Sequence, residues 1–116
     1  MATIKMCTDI LQSEVLAEFL PIESADMYYP NRTDVKYQCA LPIEFKHRNP
    51  LLSQEIATWS LAALLGVIPN YKLSSEHNYH TCTAETSFGK ETVAWFDNPV
   101  DACYEMILKL HELKML

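Results

Sequence analysis

The stretch from Asp97 to the C-terminus constrains the fold more than any other. Asp97 or Asn98 can cap a helix there, Pro99 fits its first position, and Asp101 lies in its first turn. Unpaired backbone N–H groups at a helix start favour such a cap and a negative charge. Val100, Cys103, Tyr104, Ile107, Leu108 and Leu110 then form a wide apolar face, while Asp101, Glu105, Lys109 and Glu112 form a narrow polar stripe. Glu105 and Lys109 are spaced as an i,i+4 ion pair in the favourable order. A helix with so narrow a stripe is covered along most of its length, so the chain has to supply a sheet, or a second subunit, to cover it.

The sheet is legible just upstream. Asn70–Ser74, Tyr79–Glu85 and Thr92–Phe96 are rich in Thr, Val and aromatic residues, and Ser87-Phe88-Gly89-Lys90 supplies a turn. Three such runs predict an antiparallel meander. A first helix has Thr8 as its cap and Asp9 at its positive end, with Leu11, Val15, Leu16 and Phe19 on one face, Gln12, Glu14 and Glu18 mainly on the other, and Pro21 as its stop. A second helix is expected over Thr58–Val67. Its Trp59-Ser60-Leu61-Ala62-Ala63-Leu64-Leu65 run leaves almost no polar face, which predicts a central position or cover by another chain. Between the first two helices Pro21, Pro30, Pro42 and Pro50 break the pattern, and only Val35, Tyr37 and Cys39 alternate as a short strand would. The expected architecture is α+β: one domain over residues 1–116, an antiparallel β-meander packed with about three helices as a sandwich.

Several function classes are excluded by composition. The chain has 116 residues, 49% hydrophobic and 21% charged, which suits one packed domain. Its net charge of −6 is unsuited to a phosphate-backbone binder, so no direct nucleic-acid binding is expected. Tyr28, Tyr29, Tyr37, Tyr71 and Tyr79 lack the interleaved basic residues of a base-stacking surface. Two glycines cannot build a Gly-rich phosphate loop. The start has no apolar run behind a basic segment, and the Ile56–Ser75 run is broken by Pro69 and polar residues. The expectation is a cytoplasmic protein with no membrane partner. The cysteines Cys7, Cys39, Cys82 and Cys103 are then expected as reduced thiols.

Chemistry has few places to sit. His77, His80 and Cys82 are the weak candidates for a metal site, because imidazole and thiolate bind zinc, with Cys39, Cys103 or His47 as a fourth ligand. On a strand, positions 80 and 82 share a face but 77 points away, and no paired Cys-x-x-Cys supports the set. The expectation is no cofactor, with zinc as the alternative. A Cys/His nucleophilic pair is conceivable but is made by proximity that sequence cannot show. Glu23 and Asp26 form a carboxylate pair whose simpler reading is a turn or helix cap, with Ser24 and Asp26 satisfying backbone donors. No catalytic residue is assigned. Trp59, Trp95 and Tyr104 are the candidate interface anchors, with burial in the core as the competing reading for both tryptophans. The acidic residues Asp9, Glu14, Glu18, Glu23, Asp26 and Asp34 cluster early and precede the basic Lys36, Lys46 and Arg48, a polarity able to steer a partner, although a solvated helix face followed by a balancing loop is the simpler reading.

Three stretches carry a resemblance. Leu16–Met27, Ala57–Pro69 and Asp97–Met106, in that order, resemble small uncharacterised proteins of bacterial phages and mobile elements, including those with a phage-type α-β-α sandwich. Residues 28–55 and 70–92 have no counterpart in it. The resemblance implies layered α and β elements and an accessory role, and it transfers no site residue. The expected function is a non-enzymatic accessory protein that binds a protein partner or itself. One alternative is an acidic inhibitor of a nucleic-acid enzyme, which requires the carboxylates of 9–34 to line one surface. The other is a small metal-binding protein or Cys/His enzyme.

Overall fold

The computed structural model describes residues 5–30, 40–42 and 55–116. Its helix α1 spans Ile10–Ala17, and a 3-10 turn spans Ile22–Ser24. Strands β1 (Met27–Tyr29), β2 (Leu41–Pro42) and β3 (Ile56–Thr58) follow, then helix α2 (Leu61–Val67). Strands β4 (Tyr71–Glu76), β5 (Tyr79–Thr86) and β6 (Gly89–Phe96) precede helix α3 (Pro99–Glu112). The strands form two three-stranded antiparallel sheets, ordered β2-β1-β3 and β4-β5-β6. The fold is a single-domain α+β arrangement, as the sequence predicts.

The last helix forms as its sequence dictates. The Asn98 side chain accepts the Asp101 N–H, and Pro99 stands at the helix start. Val100, Ala102, Cys103, Tyr104, Met106, Ile107 and Leu110 are buried against the β4-β5-β6 sheet and α2. Cys82 and Ala84, alternate residues of β5, face them and are fully buried. Lys109 does not close the expected pair with Glu105. Its Nζ lies 3.3 Å from a Glu91 carboxylate oxygen and so fastens α3 to β6.

Other expectations are corrected. Asp9, not Thr8, caps α1, in a reciprocal box with Gln12. The buried face of α1 is Ile10, Ser13 and Leu16, while Leu11 is 77% exposed. The buried face is displaced from the expected apolar stripe because Ser13 belongs to it, hydrogen-bonded to Thr8 and Thr58. Helix α2 starts later than predicted: Ile56–Thr58 is a strand, and the Ser60 side chain accepts the Ala63 N–H as the cap. Nor is α2 central. Leu64 and Ile68 face the core, and the small Ala62 and Gly66 face solvent. Small residues keep the outer side of an all-apolar helix from exposing much area. The sheet β2-β1-β3 was not predicted, and the expected strand at Val35–Cys39 lies outside the described residues.

Candidate functional site

The meander presents one face to α3 and the other to solvent. Tyr79, Thr81, Thr83 and Glu85 alternate with the inward residues of β5, and their β4 partners on the same face are Glu76, Ser74 and Lys72. The outer face is therefore a row of hydroxyls, with Thr83 and Thr92 oxygens 3.3 Å apart, bordered by charge.

At one end of this face β6 departs from regular pairing. His80 pairs Phe96 while Cys82 pairs Val93, so one extra β6 residue is accommodated between them. The irregularity holds Trp95 at φ 74°, a left-handed conformation that costs an aromatic residue energy. The Trp95 side chain is 76% exposed, and that of Tyr79 is 45% exposed. Their ring centroids lie 5.6 Å apart at 66°, an edge-to-face pair standing in solvent. Bulges re-aim side chains in this way, and strain persists only where surrounding structure enforces it.

The sequence candidates scatter. Trp59 is wholly buried and donates its indole N–H to Ser24 Oγ at 2.9 Å, so it is core. Tyr104 is buried on α3, where burial and then the carboxylates of Glu105 and Asp9 raise its hydroxyl above the ordinary value. Trp95 alone of the three stands in solvent. His77 lies in the exposed β4–β5 turn with its Nε2 3.7 Å from Glu76 Oε1. Cys82 points the opposite way, into the core. Among the described residues no group of three metal-binding side chains converges, while Cys39 and His47 lie outside those residues.

The described cysteines Cys7, Cys82 and Cys103 are free thiols. Cys82 and Cys103 share a side-chain hydrogen bond inside the core. It draws the Cys82 thiol below its ordinary value against the effect of burial. The same bond, together with burial and the neighbouring sulfur's charge, pushes Cys103 upward. Both thiols are fully buried, so the pair is a packed core contact rather than an available nucleophile.

The acidic segment has structural duties. Asp9 caps α1, and Asp26 accepts both the backbone N–H (2.9 Å) and the hydroxyl of Ser60, bracing the start of α2. Ser24 donates its hydroxyl to the Pro21 carbonyl at 2.6 Å. Glu18 and Glu23 remain exposed, and Asp34 lies outside the described residues.

One polar cluster escaped the sequence reading. Thr8, Ser13 and Thr58 are fully buried, with Thr8 Oγ1 2.7 Å from both other hydroxyls and Ser13 Oγ 2.9 Å from Thr58 Oγ1. Carbonyls close the network: Ser13 donates to Asp9 O at 2.6 Å and Thr58 to Thr8 O at 2.8 Å. It joins α1 to β3 and explains why Ser13 faces inward.

No family model matches the chain, and neither the curated proteins nor the solved structures searched contain a significant match.

Proposed function

We propose that this chain is a non-enzymatic accessory protein, of the phage and mobile-element kind that three of its stretches resemble, and that it acts by binding a protein partner or itself. The observation supporting this is the Trp95–Tyr79 pair, held in solvent on a distorted strand. An exposed tryptophan beside a tyrosine offers large apolar area with few rotors to immobilise, the composition typical of binding hot spots. The hydroxyl row beside it supplies a polar rim.

The test compares wild type with Trp95→Ala and the Tyr79→Ala/Trp95→Ala double variant, by partner capture and by native mass spectrometry. Both side chains are exposed, so the variants keep the fold. Loss of about tenfold or more in affinity supports the reading. A wild-type chain that stays monomeric and retains no partner overturns it, whereas a partner held equally well by the double variant removes the Trp95–Tyr79 pair as its support and moves the binding surface elsewhere on the chain.

A further inference from the structure

The two edges of the β4-β5-β6 sheet differ. Strand β6 is irregular and carries the left-handed Trp95, devices that spoil an edge for further pairing. Strand β4 has none of these. Its six residues pair β5 one to one without a shift, and all but Leu73 are exposed. Among the described residues β5 is the only strand paired with it. A regular exposed edge presents unpaired backbone donors and acceptors to any strand of matching shape.

We propose that β4 pairs antiparallel with β4 of a second copy, centred on Ser74, so that two meanders join in one continuous sheet. This rests on reading the chain as an interaction module and names its partner as itself.

Alternation and charge select the register. Tyr71 and Leu73 pair Ala84 and Cys82 on the helix-facing side, whereas Lys72, Ser74 and Glu76 pair outward residues of β5. Opposed residues in an antiparallel pair project to the same face. Only registers that oppose outward with outward positions therefore keep the helix-bearing sides together. Centring on Ser74 sets Lys72 opposite Glu76 of the second copy, and symmetry repeats the pair. Lys72 forms no ion pair among the described residues. The same register brings Leu73 and the half-exposed Tyr71 to the seam on the side carrying α3. Both are apolar area that a second copy would help to cover.

The test is sedimentation equilibrium at low ionic strength on wild type, Lys72→Glu and Lys72→Glu/Glu76→Lys, with circular dichroism confirming that each is folded. Both positions are exposed, so neither substitution disturbs the core. The expected result is a wild-type dimer that Lys72→Glu weakens about tenfold, because like charges then face each other twice. The double variant restores opposite charges across the seam and returns the dimer constant to within about threefold of wild type. A dimer indifferent to Lys72→Glu, or one that the charge exchange fails to rescue, overturns the β4 seam while leaving the binding-module reading standing. A strictly monomeric wild type overturns the seam too, and the Trp95 variants then decide the broader reading by partner capture alone.

Discussion

Lys5 Nζ lies 2.7 Å from Asp101 Oδ1, tying the segment before α1 to the first turn of α3. Asp101 is the centre of a network. Its Oδ1 also accepts from Gln12 Nε2 at 2.9 Å and its Oδ2 from Asn98 Nδ2 at 2.8 Å. Burial raises its carboxyl, but the hydrogen bonds from Lys5, Gln12 and Asn98 and the lysine charge prevail and hold it below the ordinary carboxylate range.

That depression fixes a pH dependence. A carboxylate with a lowered folded value stabilises the protein above its unfolded pKa, about 3.9. This contribution is lost as pH falls through the lower folded value. Asp101→Asn should cost about 1–2 kcal/mol near neutral pH, a charged hydrogen bond discounted for partial exposure. Urea midpoints of wild type and variant should differ by a constant amount from pH 7 to about 5 and converge below about pH 4. A gap that persists unchanged into acid would show that the charge is not what matters.

The hydroxyl cluster predicts a second asymmetry. Thr58→Val keeps the shape of the side chain but leaves Thr8 and Ser13 short of a partner in a buried site, at a cost of about 1–3 kcal/mol. Thr58→Ser retains the oxygen and removes a methyl group, costing about 1 kcal/mol. Denaturant melts that rank valine as the milder change would refute the view that hydrogen bonding, rather than packing, holds α1 on β3.

The buried sulfurs predict protection. Cys82 and Cys103 should react with a maleimide in the native protein more than about a hundredfold slower than in urea, since labelling requires opening of the core. Peptide mapping after timed labelling reads both sites separately. Rapid native labelling at Cys82 would revive it as a nucleophile.

The sequence made the C-terminal half legible because its signals are local. The Asn98-Pro99 cap, the apolar face of α3 and the Thr-rich runs of the meander each fix structure within a few residues and appear in the expected order, although β4 extends to Glu76 and β6 starts at Gly89, inside the expected turn. The N-terminal half depends on distant partners. Ser13 reads as a surface residue until Thr58 is brought against it, and Met27–Tyr29 reads as loop until Ile56–Thr58 pairs with it. Asp26 reads as a turn or cap residue satisfying a backbone donor, but that the donor is the distant Ser60 N–H shows only in the fold. The site followed the same rule. Trp95 was visible as an aromatic residue, but its left-handed backbone and its contact with Tyr79 arise from a register irregularity that no local pattern encodes.

Trp95 supports one more prediction, which separates its backbone from its side chain. At an ordinary strand position glycine is less stable than alanine by about 0.5–1 kcal/mol, through the entropy it loses. At φ 74° the order should invert. Glycine enters the left-handed region freely, whereas alanine keeps a penalty of about 1–2 kcal/mol. Trp95→Gly should therefore melt later than Trp95→Ala, while both lose the edge-to-face contact with Tyr79, worth about 0.5–1.5 kcal/mol. Thermal denaturation of the two variants checks the order. If alanine is the more stable, the bulge relaxes readily and Trp95 is not held by its surroundings. If glycine is the more stable and both variants lose partner binding, the strain at this position is retained for the side chain it presents, as expected where function opposes stability.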